Sequence, residues 1–324
     1  MEIDSKNMLK HIEEFPNQVN DAFELGADIK VTGEINNIVF CGMGGSALPG
    51  GMLQSYLGTK MPLIVNKSYS FPEFANSKTL AFMSSYSGAT QETLSCFRQA
   101  LRKNCKIIGI TAGEKLDELC RLNNKPCIKI PAAGEARENL GSLFIPLLNV
   151  LHNSGLIKDP SQEVAYTVKA LKNPDFKNRA KALADKLYGK IPIIYSSDKI
   201  EILPYIWKIH FNETSKVHAF CNSVPEMNHN EMSGYGKLNG NYYVIMMEDE
   251  EDYENIRKRL SLMKDIISKQ GVETTRLLIK GNCLLARMFS TIYLGWMTSY
   301  YLALKNGVDP SLTPLQHAIK SKVS

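Results

Sequence analysis

The chain has 324 residues, more than a single hydrophobic core usually holds, so its length predicts about two domains. A hydrophobic fraction of 44% with 22% charged residues argues against long disordered tracts. The net charge of +5 is small, and no run of Lys and Arg is interleaved with aromatic residues, so we predict no nucleic-acid partner. The longest apolar stretches, Leu143–Leu151 and Ile292–Leu304, are shorter than the roughly 18 residues that span a bilayer. We therefore predict no membrane segment.

The cysteines and the N-terminus favour a cytoplasmic location. The seven cysteines form an odd set without a Cys-x-x-Cys spacing, which fits neither a disulfide framework nor a zinc site. Residues Met1–Glu14 carry charges throughout and lack the apolar core of a secretory signal. These features predict a protein of a reducing compartment.

The first half of the chain alternates short runs rich in Val, Ile and Phe with longer amphipathic segments, a pattern typical of βαβ units. The predicted strands are Asn37–Cys41, Pro62–Asn66, Leu80–Ser84, Lys106–Thr111 and Cys127–Ile130. Amphipathic segments between them, Glu92–Lys103 and Lys115–Leu122, are predicted helices. Five strands with covering helices predict one complete doubly wound domain.

The second half repeats this pattern. The predicted strands are Ile191–Tyr195, Val217–Phe220, Tyr242–Met247 and Thr275–Ile279, and the helices are Phe176–Tyr188 and Tyr253–Lys269. The segment Asn153–Asp175 contains Gly and Pro among mixed polar residues, which indicates a boundary and predicts domains at 1–152 and 153–324. The predicted fold is α/β, with two flavodoxin-like parallel-sheet domains in three αβα layers. A ligand cleft is expected between two such domains.

A glycine-rich turn, Gly42–Ser46, directly follows the first predicted strand. Gly44 and Gly45 would let the backbone approach a ligand closely, and Ser46 adds a hydroxyl where the amides of a helix start favour an anion. The spacing is not that of the Gly-x-Gly-x-x-Gly dinucleotide motif. A plain tight turn is the alternative interpretation.

A cluster of hydroxyls lies in Ser84–Thr93, between the third predicted strand and the helix that follows. Ser85, Ser87 and Thr90, together with the amides of the helix N-terminus, could neutralise a phosphate monoester without a lysine. The alternative is that Thr90 simply caps its helix. Because three hydroxyls occur together, we predict a phosphate site.

The two motifs together, Gly-x-Gly-Gly-Ser and then Ser-Tyr-Ser-Gly-x-Thr, resemble the sugar isomerase (SIS) domain. In the second half, Asn212–Lys216 and Pro225–Glu231 resemble the bifunctional phosphoglucose/phosphomannose isomerases. This resemblance covers about Asn36 to Lys320. It implies a cofactor-free and metal-free homodimer that interconverts glucose 6-phosphate and mannose 6-phosphate with fructose 6-phosphate through an enediol(ate).

Moving a carbonyl between C1 and C2 of a sugar requires a base and a positive group. Glu213 is the candidate base, with a surface pair between Glu213 and Lys216 as the alternative. Arg137 is the candidate for stabilising the enediolate, because related isomerases place an arginine beside the substrate after a similar Gly-x-Pro-Arg motif. Here Ala136 replaces that proline.

Opening the sugar ring requires a second acid–base group, for which His229 is the candidate. The resemblance implies that His229 reaches the active site of the neighbouring subunit. It also implies that Lys320 assists ring opening, with Lys322 as the competing assignment, and that Thr313 leaves room for both C2 epimers.

Two other functions are compatible with the residues. His210 and Glu213, with His229 and Glu231, could ligate a metal in an isomerase or hydrolase. A regulatory protein could instead keep the phosphate site and catalyse nothing. The combination of Arg137, Glu213, His229 and Lys320 favours an enzyme.

Overall fold

The computed structural model of the chain describes residues 3–316 and 318. These form two compact units. The first unit is Glu14–Lys169, and the second contains the described residues up to Glu13 and those from Ala170 onward. The domain boundary at 152 and 153 stays a prediction. None of the helices in the described part of the chain is long and apolar enough to cross a membrane.

The elements alternate along the chain as the sequence pattern predicts. The helices are α1 (Met8–Glu13), α2 (Phe15–Asp21), α3 (Leu48–Leu57), α4 (Gln91–Arg102), α5 (Glu114–Leu122), α6 (Leu140–Asn153), α7 (Ser161–Leu171), α8 (Asp175–Leu187), α9 (Ile202–Glu213), α10 (Glu254–Lys269) and α11 (Leu284–Lys305). The strands are β1 (Asn37–Cys41), β2 (Leu63–Asn66), β3 (Thr79–Ser84), β4 (Lys106–Thr111), β5 (Cys127–Lys129), β6 (Ile191–Ser197), β7 (Phe220–Val224), β8 (Tyr242–Asp249) and β9 (Glu273–Ile279).

The first unit contains a parallel sheet of order β2-β1-β3-β4-β5, which is the flavodoxin-like order. Side chains alternate across it. Val39 points to a buried cluster that includes Leu94 of α4 and Leu116 of α5. Phe40 faces the other side, where α3 comes so close that a Cβ added at Gly50 would lie 2.6 Å from the phenyl ring. Helices on both faces give the three predicted layers.

The second unit contains a parallel sheet of order β7-β6-β8-β9. On one face, Val244 of β8 packs with Leu260 of α10. Helix α9 lies against β6 and β7 and also packs on α11. Trp207 of α9 donates a 2.9 Å hydrogen bond to the carbonyl of Thr291 in α11. The predicted α/β class with two parallel sheets is therefore confirmed.

One predicted strand is misplaced. Val217–Phe220 overlaps β7 only at Phe220, because the residues after α9 form a loop. Lys216 has a φ of 57°, which breaks extended structure. Asn212 Oδ1 accepts a 2.9 Å hydrogen bond from the amide of Ala219, so this amide does not bond a neighbouring strand. Strand β7 therefore begins only at Phe220. Val217 thus belongs to a loop whose apolar residues are of the kind that usually form a strand.

Candidate active site

The hydroxyl cluster lies between β3 and α4, where the carboxyl end of a strand meets a helix N-terminus. Ser85 Oγ donates a 2.8 Å hydrogen bond to Thr90 Oγ1 and accepts one of 3.3 Å from the amide of Thr90. Thr90 does not cap α4 with its side chain. The simple capping interpretation is therefore wrong, and no side chain caps the first turn of this 12-residue helix.

Ser87 lies in the same loop and is exposed. Its Oγ accepts a long hydrogen bond of 3.4 Å from the amide of Ala89. The next residue, Gly88, has a φ of 73°, and a Cβ at that position would lie 2.9 Å from the carbonyl carbon of Gly113 in the loop after β4. The glycine thus permits the turn that presents Ser87 to solvent.

The glycine-rich turn follows β1, which is the neighbour of β3 in the sheet. Ser46 is 5% exposed, and its Oγ accepts a 3.0 Å hydrogen bond from the amide of Tyr86. Gly44 has a φ of 50° and open space where a Cβ would project. The structure therefore brings Ser46 and the Ser85–Thr90 loop together at the same end of adjacent strands.

Arg137 lies beside this glycine-rich turn, in a 3₁₀ turn of residues Ala136–Glu138. A Cβ added at Gly45 would lie 2.7 Å from the backbone nitrogen of Arg137 and 2.9 Å from Cβ of Ala136. The guanidinium is buried, with Nη2 at 3.5 Å from Glu138 Oε1. Gly45 is thus needed for the close approach of the segment that carries Arg137.

Glu213 is the last residue of α9 and is half-buried. The ammonium group of Lys216 contacts the backbone carbonyls of Glu213 and Thr214. Ser215 Oγ donates a 2.7 Å hydrogen bond to the carbonyl of Ser299 in α11, which anchors this loop. Glu213 therefore sits at the boundary between a rigid helix and a loop tied to the core of the second unit.

His229 is exposed and ends a 3₁₀ turn, Glu226–His229, that follows β7. Three polar residues flank His229 in the sequence, Asn228, Asn230 and Glu231, and each has a hydrogen-bond partner elsewhere. Asn230 Nδ2 donates to Glu226 Oε1 at 3.1 Å, and Arg259 Nη1 donates to Asn228 Oδ1 at 3.4 Å.

Glu231, the third of these neighbours, is held by the sheet. Its Oε2 accepts a 2.8 Å hydrogen bond from Tyr195 Oη, and its Oε1 accepts one of 2.6 Å from Asn222 Nδ2. Glu231 thereby ties the segment after His229 to β6 and β7.

Thr313 belongs to the second unit and is 9% exposed. Lys320 and its competitor Lys322 lie outside the described residues. Among the described residues, no group of three His, Cys, Asp or Glu side chains is arranged to hold a metal ion. His210, one of the ligands in the metal hypothesis, is fully buried and stacks on Trp296 with ring centroids 5.7 Å apart.

The candidate residues thus fall into two sets. The first unit brings together the predicted phosphate ligands and Arg137, namely Gly44, Gly45, Ser46, Ser85, Ser87, Thr90 and Arg137. The second unit carries Glu213, His229 and Thr313. Their functional roles stay predictions.

The sequence interpretation missed Tyr86 and Asn139. Tyr86 Oη hydrogen-bonds both the carbonyl and the amide of Ala133, at 2.9 and 2.7 Å, and Asn139 Nδ2 donates to it at 3.2 Å. The only signal in the sequence was that Tyr86 lies inside the hydroxyl-rich motif. Nothing in the sequence connects it to residues about fifty positions later.

A flavodoxin-like parallel sheet with hydroxyl-bearing turns at the carboxyl ends of β1 and β3 is the arrangement of the class of SIS-type α/β proteins. Residues 176–323 match the family described as the bacterial phospho-glucose isomerase C-terminal SIS domain. The C-terminal domain of glucosamine-fructose-6-phosphate aminotransferase from Francisella tularensis has a similar fold, with a TM-score of 0.71 at 17% identity over 95% of this chain and 98% of that one.

Two named relatives are similar over almost the whole length. The bifunctional phosphoglucose/phosphomannose isomerase of Caldicellulosiruptor bescii is 37% identical, over 98% of this chain and 99% of that protein. The protein of the same name from Aquifex aeolicus is 33% identical, over 94% of each chain. The chain belongs to the family of bifunctional phosphoglucose/phosphomannose isomerases, which confirms the resemblance seen in its motifs.

Proposed function

We propose that the chain is an aldose–ketose isomerase that interconverts glucose 6-phosphate and mannose 6-phosphate with fructose 6-phosphate. The observation that carries the proposal is the similarity to named bifunctional isomerases over 98% of the chain, which includes both units and not the phosphate loops alone. A regulatory sugar-phosphate binder is not favoured, because it would have no need of the catalytic half.

In this proposal the phosphate binds to Ser46, Ser85, Ser87 and Thr90. The hydrogen bond from Ser85 to Thr90 leaves the Thr90 hydroxyl proton free to point at an acceptor. The uncapped first turn of α4 adds amides and the positive end of its dipole. Neutral donors of this kind would bind the phosphate while leaving the sugar end free to react.

The isomerisation moves a proton between adjacent carbons. Glu213 removes the proton from C2 of the aldose and returns it to C1, while the hydroxyl proton moves from O2 to O1. Arg137 lies next to the glycine-rich turn and would stabilise the negative charge that develops on the enediolate oxygen. The reaction is redox-neutral within the substrate, so it needs no external oxidant or reductant. In this proposal Glu213 transfers the proton and Arg137 stabilises the charge, without a cofactor or a metal.

Ring opening is assigned to His229 and to Lys320 or Lys322. We propose a homodimer in which His229 serves the site of the neighbouring subunit, and its exposed position at the end of a 3₁₀ turn supports this role. Thr313 is proposed to leave room for both C2 epimers. Sugar-phosphate interconversion of this kind would serve glycolysis and gluconeogenesis in the cytoplasm.

The test follows fructose 6-phosphate by NMR, with and without EDTA, in the wild type and in Glu213→Gln. The wild type should form both glucose 6-phosphate and mannose 6-phosphate in EDTA. Glu213→Gln should lose about 10²–10⁴-fold in kcat, because the amide cannot accept the proton, and should still bind substrate.

Glu254→Gln is the matched control, since Glu254 is an exposed carboxylate on α10 of the same unit, paired with Lys258. It should retain wild-type kcat. Substantial turnover by Glu213→Gln would show that another group is the base. Substrate binding by the wild type without any product would support the regulatory alternative.

A further inference from the structure

Tyr86 connects three segments of the first unit through its backbone and its side chain. Its amide donates a 3.0 Å hydrogen bond to Ser46 Oγ in the glycine-rich turn, and its carbonyl accepts one of 3.1 Å from the amide of Ala112. Its neighbours in sequence, Ser85 and Ser87, belong to the proposed phosphate site. The backbone of Tyr86 is therefore part of the phosphate loop.

The side chain of Tyr86 extends to a different segment. A phenol offers one proton and two lone pairs, and all three are used here. Tyr86 Oη donates to the carbonyl of Ala133 at 2.9 Å, and it accepts from the amide of Ala133 at 2.7 Å and from Asn139 Nδ2 at 3.2 Å. Burial raises the pKa of Tyr86, so the phenol stays protonated and keeps its donor.

The segment that Tyr86 holds is the one that carries Arg137. Asn139 Nδ2 also contacts the carbonyls of Ala133 and Glu135, which closes the segment from 133 to 139 into a compact turn. This turn follows β5 after several residues without regular structure. Because no ladder of backbone hydrogen bonds runs through that stretch, side-chain contacts help to fix where Arg137 lies. They include those of Tyr86 and the 2.9 Å hydrogen bond from Gln18 Nε2 to the carbonyl of Glu138.

We propose that Tyr86 is a positioning residue that couples the phosphate loop to Arg137, so that a bound phosphate and the guanidinium keep a fixed separation. The inference rests on the proposed function, because it assigns Arg137 to the reacting end of a sugar phosphate. An arginine that shifts by a fraction of an ångström stabilises an enediolate less well while the phosphate is held as before. Tyr86 itself need not touch the reacting atoms.

Tyr86→Phe tests this, because it removes only the hydroxyl and keeps the ring and the backbone bonds to Ser46 and Ala112. We expect kcat to fall about 10-fold while the KM for fructose 6-phosphate stays within about twofold. Asn139→Ala removes one partner of the same hydroxyl and should lower kcat in the same direction. Tyr166→Phe is the control, since Tyr166 is an exposed tyrosine of the same unit whose hydroxyl accepts a 2.9 Å hydrogen bond from Gln162 Nε2.

The decisive measurement is a double-mutant cycle with Arg137→Ala. In that background Tyr86→Phe should cause no further loss of kcat, because the residue it positions is gone. An unchanged 10-fold loss in the Arg137→Ala background, or a wild-type kcat in Tyr86→Phe alone, would overturn the proposal. Thermal unfolding of each variant shows whether a general loss of stability explains the effect.

Binding measurements separate this inference from the proposed function. Inorganic phosphate probes the phosphate loop, and a planar hydroxamate phosphate mimics the enediolate. Tyr86→Phe should weaken the hydroxamate about 10-fold and leave inorganic phosphate unchanged. A wild type that binds the hydroxamate tightly but forms no product would contradict the isomerase proposal. In that case the binding of the two probes by Tyr86→Phe would still test the positioning role. Equal weakening of both probes would contradict the positioning role.

Discussion

The two units share one arrangement of strands but differ in the residues that follow those strands. Strand β6 lies between β7 and β8 as β1 lies between β2 and β3. After the ends of β1 and β3, the first unit has the hydroxyl side chains of Ser46, Ser85 and Thr90, which hydrogen-bond to one another or to backbone amides. This end of the sheet suits an external anion.

The corresponding end of β6 and β8 is filled by the chain's own charges. Ser197 Oγ donates a 2.6 Å hydrogen bond to Asp252 Oδ1, and Asp252 Oδ2 accepts one of 3.2 Å from the amide of Asp249. Asp249 is fully buried and lies 3.2 Å from Nε of Arg287. Nη1 of Arg287 also donates to Glu251 at 2.8 Å. Carboxylates thus occupy this end of the second sheet, whereas the first unit has neutral hydroxyls at the corresponding strand ends.

The comparison teaches that similar strand arrangements can carry different loop residues at their carboxyl ends. In the first unit these loops contain glycines and hydroxyls. In the second unit they contain carboxylates that bond Ser197 and Arg287.

The largest effect is expected when the pair of Asp249 and Arg287 is broken. Arg287→Met removes the closest cation of the buried Asp249 carboxylate, which keeps the amide of Glu251 at 3.0 Å and the ammonium group of Lys199 at 3.9 Å. The free energy of unfolding should fall by about 3 kcal/mol, at the lower end of the cost of breaking a buried pair. Urea denaturation measures it. Lys258→Met is the control, because Lys258 and its partner Glu254 are both exposed, with 64% and 71% of their side chains accessible, and it should cost about 0–1 kcal/mol. Similar losses for both variants would mean that the buried pair contributes no more than a surface pair.

An intermediate effect is expected on the KM for fructose 6-phosphate, and it should differ between the loop after β3 in the first unit and the end of β6 in the second. Thr90→Ala removes a proposed hydrogen bond to a charged phosphate and should raise the KM for fructose 6-phosphate about 10- to 100-fold. Ser197→Ala removes a hydroxyl at the matching place in the second unit and should leave KM unchanged. Steady-state kinetics of both variants check this. A KM raised equally by Ser197→Ala would show that the second end also takes part in binding.

The smallest expected effect is on how the free energy of unfolding depends on pH. Burial raises the pKa of Asp252 above its unfolded value, although the hydrogen bond from Ser197 opposes this. The ionised carboxylate therefore costs stability above the folded pKa, and that cost disappears as the pH falls below the unfolded pKa. Asp252→Asn should gain stability over the wild type near neutral pH, and the gain should shrink toward acid. Chemical denaturation across this range tests it, and a difference that is constant or grows toward acid would contradict the assignment.

Much of the fold followed from local pattern. Apolar runs bounded by turns predicted strands that overlap all nine of those observed, because parallel strands buried on both faces must be apolar throughout. Val217 is an exception, because it was predicted to begin a strand and lies in a loop. The positive φ of Lys216 and the hydrogen bond from the amide of Ala219 to Asn212 produce that loop. Local composition cannot distinguish such a loop from a strand.

The candidate phosphate site also followed from the sequence, because Ser46, Ser85, Ser87 and Thr90 lie in two short motifs directly after strands that a parallel sheet places side by side. The tertiary structure decided what those motifs do with their hydrogen bonds. The side chain of Thr90 bonds Ser85 and does not cap its own helix. Tyr86 reaches Ala133 and Asn139, and Asp252 bonds Ser197 in the second unit. Strand and helix formation depends on neighbours in sequence, whereas these contacts join residues up to 55 positions apart and exist only once the sheets have formed.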